Sequence, residues 1–292
     1  MAGYVDIHSH GGGGFTFGLS VEESVGAARA QHAHGTDAII GSLVTSPTLT
    51  LEQQLGIMRE AMAVEPLIVG AHLEDPFLAP SRKGAHAPEL LETPSPARVD
   101  DLIAAGEGVL RQITIAPELP GALDAIATFR AAGIVPAVGH TAADAAIAAE
   151  AFAAGAGLLT HGFNAMAPIQ GRDPGPLGAA IAHPTVVIEV IADGIHVDPR
   201  NIAMLFAAAP GRIALMTDAM AAAGHPDGMY RLGALDVEVT NGRAVVAGTD
   251  TLAGSTLTLD RAVQVCLEAG IDADAVQAAV TTTPARLFGI PL

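Results

Sequence analysis

Eight short runs of β-branched or apolar residues are spread along the chain, and most of them end at a residue whose side chain can bind a metal ion. The runs cover residues 5–8, 38–44, 67–73, 112–116, 134–138, 158–161, 186–191 and 213–216. Ala-rich stretches of helical period separate them, and this alternation is typical of a parallel sheet. Because eight parallel strands can close on themselves, the pattern predicts an α/β fold of the (β/α)8 TIM-barrel type.

The punctuation between these runs supports helices at residues 21–34, 51–63, 123–132, 144–154 and 201–208. Ser20 with Glu23, and Thr50 with Gln53, have the spacing of a helix N-terminal capping box. The alternation of strands and helices stops over residues 224–254. Asn241-Gly242 lies there between two alternating runs, which predicts a β-hairpin. Helices at 257–269 and 272–282 should follow. We expect a single catalytic domain over residues 1–292, with the hairpin as an insertion at about 224–254.

The composition excludes several classes of function. The 292 residues carry a formal net charge of −17, and 3% of them are aromatic with no Trp. A nucleic-acid or anionic lipid surface would need clustered Lys and Arg, so neither partner is expected. No basic segment followed by an apolar core opens the sequence, so no signal peptide is expected, and the single Cys266 cannot form an internal disulfide. We therefore predict a cytoplasmic protein whose partners are small molecules.

The strand ends carry the chemistry. Asp6, His8 and His10 alternate along the first run, so their side chains share one face of a strand. Further metal-type residues end four other runs, and in a parallel barrel these ends meet at one rim, where the active sites of such barrels lie. The six metal-type residues at this rim are His8, His10, Glu74, His140, His161 and Asp218. Histidine with carboxylate predicts Zn²⁺, with Fe, Mn or Co as alternatives, and one or two ions per chain.

Lysine usage narrows the choices for a bridging ligand. Lys83 is the only Lys, and it follows the third run instead of ending the fourth, which excludes a carboxylated lysine at the fourth strand. Glu74 is then the best group to bridge two ions. His86 and His196 fall in loops over the same rim, and with Arg172 they can bind an anion or polarise a carbonyl.

Six motifs resemble the N-acetylglucosamine-6-phosphate deacetylases of the amidohydrolase superfamily, and the matches to that family run in the same order from Val5 to Arg286. In chain order they read HLEDPFLAPSRKGAHAP, VGHTAADAA, THGFNAMAPIQGRDPGPLG, ADGIHV, TDAMAAAGHPDGMYRLG and LAGSTLTLDRA. The resemblance implies metal-dependent hydrolysis of the acetamide of N-acetylglucosamine 6-phosphate to glucosamine 6-phosphate and acetate, in amino-sugar catabolism and cell-wall recycling.

The resemblance also assigns roles. It implies that Glu74, His140 and His161 bind the main metal ion and that His8 and His10 can hold a second one. Asp218 would be the general acid/base, and His86 would polarise the acetyl carbonyl. The groups that would hold the sugar phosphate are Asn164, Ala165, Arg172 and His196. Arg172 can reach a neighbouring subunit's site, which a homodimer would allow.

Three departures from the family pattern carry expectations of their own. Asp75 stands where the family usually has Gly, so a Cβ and a second carboxylate beside the metal should strain the turn or perturb the site. Gly162 should add backbone freedom next to His161. Most of the family's small β-sandwich domain should be lacking, as in an excised barrel, a shortened gene product or a reduced variant.

Rival interpretations stay open at this point. One is a deacetylase for another N-acetyl sugar phosphate, and another is a cyclic-amide hydrolase. A third is a metal-binding barrel whose catalysis is impaired by Asp75 or by loss of the small domain.

Overall fold

A computed structural model describes residues 3–292 of the chain. The strands are β1 (Tyr4–Ser9), β2 (Gly11–Gly12), β3 (Phe15–Thr16), β4 (Thr36–Leu43), β5 (Ile68–Leu73), β6 (Leu110–Ile115), β7 (Val135–Val138), β8 (Leu158–Leu159), β9 (Val187–Ile191), β10 (Ile213–Met216), β11 (Gly228–Leu232), β12 (Leu235–Thr240) and β13 (Arg243–Val246). The helices are α1 (Val21–His32), α2 (Leu51–Val64), α3 (Pro96–Ala105), α4 (Ala122–Ala131), α5 (Ala145–Ala154), α6 (Gly175–Ala182), α7 (Pro199–Ala208), α8 (Leu259–Glu268), α9 (Ala273–Val280) and α10 (Thr282–Phe288).

The eight strands expected from the sequence form one parallel sheet. They pair in the order β1, β4, β5, β6, β7, β8, β9, β10. At the seam the backbone N–H of Asp218 donates to the His8 carbonyl at 2.8 Å. The Thr217 hydroxyl donates to the buried Asp6 carboxylate at 2.6 Å. The end of β10 therefore lies beside β1, and the predicted TIM barrel is confirmed.

Local sequence explains where the helices begin. The Ser20 hydroxyl accepts from the backbone N–H of Glu23, and Thr50 with Gln53 forms a full capping box. Each such cap typically stabilises a helix by about 1 kcal/mol. The sequence pattern did not indicate three helices, α3, α6 and α10. The first two start at a Pro and at a Gly-Pro pair, which are typical of loops.

The core lies between the barrel and its surrounding helices and is built from Ile, Leu, Val and many Ala side chains. Small side chains such as Ala27 and Ala148 are fully buried and let the helices approach the strands closely. The upper interior of the barrel is polar instead. His72, Thr114 and Glu189 are fully buried there, beneath the rim on which the candidate ligands stand.

A separate three-stranded antiparallel sheet, β11 to β13, stands over one side of the barrel mouth. The predicted hairpin is present, with Asn241 and Gly242 at φ of 52° and 72°. Strand β11 adds a third strand that the sequence pattern did not indicate. Within residues 3–292 this small sheet accompanies the barrel and no β-sandwich is formed. None of the helices described is both long and apolar enough to cross a membrane.

Candidate active site

The predicted metal-type side chains do meet at the carboxyl ends of the barrel strands. His8 lies in β1, and the others follow the strands directly, at His10, Glu74, His140, His161 and Asp218. His140, His161 and Asp218 have positive φ values of 45°, 28° and 49°. Such values are uncommon for residues other than Gly, and they cluster at functional sites. These turns break the strands and bring the side chains together.

The first group of donors consists of Glu74, His140 and His161. His140 Nε2 and His161 Nε2 lie 2.9 Å apart. Glu74 Oε1 lies 3.2 Å from the first and 3.3 Å from the second. All three residues are buried.

The protonation of His140 shows what these donors are arranged to hold. Its Nδ1 lies 2.8 Å from the Arg82 carbonyl, so Nδ1 donates and Nε2 presents a lone pair to the group. Burial lowers the pKa of His140 to about 4, although the hydrogen bond with Glu74 opposes the shift. A neutral imidazole, a carboxylate and a second imidazole nitrogen then share one small space, which a divalent cation fits.

The second group consists of His8, His10, Glu74 and Asp218. His10 Nε2 lies 3.1 Å from Glu74 Oε2 and 3.2 Å from Asp218 Oδ1. His8 Nε2 lies 3.4 Å from Glu74 Oε1 and 3.6 Å from Asp218 Oδ1. Glu74 thus belongs to both groups, in the position expected of a bridging ligand.

Charge differs between the two groups. Burial opposes protonation of His10, but hydrogen bonds with Asp218 and Glu74 outweigh it and raise its pKa to about 9. The carboxylates therefore attract positive charge, which protons or a metal ion can supply. Nε2 of His8 and of His10 are buried and face the oxygens of Glu74 and Asp218 at 3.1 to 3.6 Å. Two ring nitrogens that face two carboxylates in this way also fit a cation.

A cavity of about 440 Å³ opens above both groups. Besides the ligands it is lined by His86, Asn164, Ala165 and His196, all four predicted from the sequence. His86 Nδ1 lies 2.9 Å from the Lys83 carbonyl, and its Nε2 lies 3.4 Å from Glu74 Oε2. The positions thus assemble a candidate substrate pocket directly over the candidate metal centre.

The orientation of His196 depends on a residue that the sequence pattern did not single out. Asp193 Oδ2 lies 2.7 Å from His196 Nδ1, and Asp193 Oδ1 accepts from the backbone N–H groups of Ile195 and His196. Burial raises the pKa of Asp193, but the hydrogen bond with His196 outweighs it, so the net shift is downward. The short spacing D-x-x-H was the available signal.

Arg172 is placed differently from the other predicted residues. It lies in an exposed loop after β8, outside the residues that line the cavity of its own chain. Its role therefore stays a prediction that needs a second subunit. Two charged residues that the sequence interpretation missed, Arg82 and Asp250, do line the cavity.

Asp75 does not strain the turn, but its charge does reach the site, because burial lowers the pKa of His86 while Glu74 and then Asp75 raise it. The Asp75 carboxylate turns to the loop after β4, where it accepts from the backbone N–H of Thr45 at 2.9 and 3.0 Å and from the Thr45 hydroxyl. Its φ lies outside the left-handed region, so the turn carries no strain of that kind. Burial raises the pKa of Asp75.

The backbone of Gly162 does not use the conformational freedom that was expected of a glycine next to His161. Its φ is not positive, whereas Phe163 and Ala165 have φ values of 78° and 50°. A Cβ at position 162 would lie 3.1 Å from Ile188 Cγ2 and 3.3 Å from the Glu189 carbonyl. Gly162 therefore serves a close approach to β9 and not backbone freedom.

With the barrel and its rim of histidines and carboxylates in place, comparison with known proteins gives the family. The chain belongs to the amidohydrolase family, whose model matches residues 1–292. Its sequence is 36% identical, over 98% of this chain and 77% of the relative, to the N-acetylgalactosamine-6-phosphate deacetylase of Escherichia coli O157:H7. It is 36% identical to the N-acetylglucosamine-6-phosphate deacetylase of Vibrio furnissii, over 90% of this chain and 67% of that protein.

A solved structure agrees with these relatives. It is a variant of the N-acetyl-D-glucosamine-6-phosphate deacetylase of Mycobacterium smegmatis in complex with N-acetyl-D-glucosamine-6-phosphate. The TM-score is 0.94 at 44% identity, covering 99% of this chain and 78% of that one. The resemblance inferred from the six motifs is confirmed.

Proposed function

We propose that the protein hydrolyses the acetamide of N-acetylglucosamine 6-phosphate to glucosamine 6-phosphate and acetate, a step of amino-sugar catabolism. The observation that carries the proposal is the convergence of four histidines and two carboxylates beneath a single cavity. The family and the relatives named for this reaction support the same substrate class.

The metal centre would be held by this chain's own donors. Glu74, His140 and His161 would bind the main ion, and His8 with His10 would hold a second one. Zn²⁺ suits an imidazole and carboxylate set best, with Fe, Mn or Co as alternatives. A bound divalent ion supplies acidity to water and polarises a carbonyl oxygen.

Asp218 is the residue best placed to move the proton. It is buried at the cavity floor and lies within 3.2 Å of His10. Burial opposes its ionisation, but the hydrogen bond with His10 outweighs this and lowers its pKa, so the carboxylate can accept a proton at neutral pH. It would take the proton of the attacking water and return it to the amine as the C–N bond breaks.

His86 would stabilise the charge that develops on the acetyl oxygen. Burial lowers the pKa of His86, but the hydrogen bond and charge of Glu74 outweigh it and raise that pKa. Nδ1 already donates to the Lys83 carbonyl, so the second proton that this shift favours would reside on Nε2 at the cavity. That N–H is available to the carbonyl oxygen as it becomes negative.

The far end of the cavity would take the phosphate. Asn164, Ala165 and His196 line it, and Arg172 would complete it from a neighbouring subunit. A planar guanidinium suits a phosphate because it donates two parallel hydrogen bonds. Such local capture is needed in a chain whose formal net charge is −17.

Acetate release from N-acetylglucosamine 6-phosphate tests the proposal. Protein reconstituted with Zn²⁺ should release acetate, and the same protein treated with a chelator should not. Absence of turnover in the Zn²⁺-loaded protein would instead favour a catalytically impaired barrel.

N-acetylgalactosamine 6-phosphate is a second candidate substrate, because one of the relatives is named for it at 36% identity. The two sugars differ only in the configuration at C4, remote from the acetamide. The ratio of kcat/KM for the two compounds decides between them. A ratio that favours the galactose configuration would replace the first proposal and leave the reaction type unchanged.

A further inference from the structure

Glu189 is a buried carboxylate that the proposed mechanism does not use. It lies in β9, inside the barrel and beneath the cavity, and is fully shielded from solvent. Its Oε2 lies 3.1 Å from His8 Nδ1 and 3.3 Å from the backbone nitrogen of His161. Its Oε1 accepts from the Gln112 amide at 3.0 Å. One carboxylate thus contacts residues from both groups of donors.

The directions of these hydrogen bonds determine which ring nitrogen of His8 carries a hydrogen towards Glu189. Gln112 Nε2 and the backbone N–H of His161 donate to Glu189, whose carboxylate oxygens are the acceptors. His8 must then carry its hydrogen on Nδ1 to satisfy Glu189. Its Nε2 is then the ring nitrogen that faces Glu74 Oε1 at 3.4 Å and Asp218 Oδ1 at 3.6 Å, the side on which a cation would replace a proton.

A carboxylate buried inside a barrel needs partners, because its burial is costly unless opposite charge or hydrogen-bond donors lie nearby. Two of its three partners, an amide and a backbone N–H, are neutral. The third is His8, on whose far side two more carboxylates converge. A cation bound at His8 Nε2 would balance the charge of all three carboxylates, Glu189, Glu74 and Asp218. This is the carboxylate–histidine–metal arrangement known from metal sites.

We propose that Glu189 is a positioning residue that adapts this chain to hold a second divalent ion at His8 and His10. It holds the His8 ring with its hydrogen on Nδ1 and makes Nε2 a stronger metal ligand, while Gln112 holds Glu189 in place. The inference rests on the metal centre of the proposed function but not on its substrate.

Calorimetric titration of the metal-free, full-length protein with Zn²⁺ tests this directly. Two ions should bind to the unmodified protein. Glu189→Gln should weaken the second ion by about 10- to 100-fold and change the first much less. The amide keeps the shape of the side chain, and the Gln112 amide can turn to present its unpaired Oε1 to it.

Two further variants separate positioning from general damage. In a His8→Ala background, Glu189→Gln should have no additional effect on Zn²⁺ binding, because its route to the ion is gone. Thr114→Val is the matched control. Thr114 is buried in the same barrel and hydrogen-bonds His72 and Thr160, so its loss should leave both ions bound.

Several results would overturn the inference. Unchanged binding of the second ion in Glu189→Gln is one, and an equal loss in the His8→Ala background is another. Unmodified protein that binds a single ion would also refute it while sparing the proposed function. Protein that binds no Zn²⁺ would refute both.

A measurement without a substitution at Glu189 covers the case in which that variant does not fold. Histidine-selective ¹⁵N NMR of the Zn²⁺-loaded protein should show the His8 ring protonated at Nδ1 and metal-bound at Nε2, with His8→Ala identifying the signal. The reverse assignment would contradict the role of Glu189.

Discussion

The two groups of donors at the barrel mouth share Glu74 yet are held in opposite ways. His140 is oriented by a neutral backbone carbonyl, and its pKa falls to about 4. His10 faces two carboxylates, and its pKa rises to about 9. In the first group a neutral His140 thus faces one carboxylate, whereas in the second a protonated His10 faces two. We therefore predict that a metal ion would displace a proton from His10 in the second group but none from His140 in the first.

Removing the charge of Asp218 alters only the second group and should have the largest effect. Asp218→Asn keeps the size of the side chain but cannot accept a proton. We expect kcat to fall by about 10²- to 10⁴-fold, which is the usual contribution of a general acid/base. Zn²⁺ at Glu74, His140 and His161 should be retained, as measured by metal analysis after dialysis.

Asp250→Asn is the matched control, because Asp250 is the other Asp besides Asp218 that lines the cavity. Its effect on kcat should be small. Activity of Asp218→Asn close to that of the unmodified protein would remove Asp218 from the mechanism.

Glu74 belongs to both groups of donors, so its loss should weaken the binding of an ion to each of them. Excess Zn²⁺ at about 1,000 times its Kd should raise the free energy of unfolding by about 4 kcal/mol per site. In Glu74→Gln this increment should largely vanish, whereas His10→Ala should lose only the part due to the second ion. Thermal unfolding with and without Zn²⁺ measures both. Equal increments in the two variants would mean that Glu74 is not a shared ligand.

Arg172 lies outside both groups and should separate binding from chemistry. Arg172→Ala should raise KM for the phosphorylated sugar by about 10-fold or more, since a charge-assisted hydrogen bond contributes roughly 1.5–3 kcal/mol. The value of kcat should change little, because the phosphate is remote from the bond that breaks. Steady-state kinetics gives both constants.

Arg200→Ala provides the comparison, since Arg200 is exposed and pairs with Asp198 on the surface. It should leave KM unchanged. An unchanged KM in Arg172→Ala as well would exclude Arg172 from phosphate binding.

The sequence could predict the barrel because its strands are continuous apolar runs, which periodicity detects directly. It also located the donors, since a strand's carboxyl end fixes where a side chain such as Glu74 or His140 must lie. It could not predict the partners of those donors. Glu189 reads as one polar residue within an apolar strand, and only the closed barrel brings it to His8 from 181 positions away.

Asp75 shows the same limit. Its position next to Glu74 in the sequence suggested a role beside the metal centre, but the residue that it hydrogen-bonds in the folded chain is Thr45. The carboxylate binds the backbone and hydroxyl of Thr45, and so it fastens the loop after β4 to the end of β5. Asp75→Gly should therefore lower the free energy of unfolding by about 1–3 kcal/mol, the range for lost buried hydrogen bonds. Thermal or denaturant unfolding measures this.

Turnover of Asp75→Gly should stay within a few-fold of the unmodified protein, because the carboxylate hydrogen-bonds Thr45 and not the donors. Asp75→Asn is the matched comparison, since an amide oxygen can still accept from the Thr45 backbone N–H. It should retain more stability than the Gly variant. A large gain of activity in Asp75→Gly would show instead that the carboxylate impairs the metal centre, and the two groups would then be coupled through a residue that neither contains.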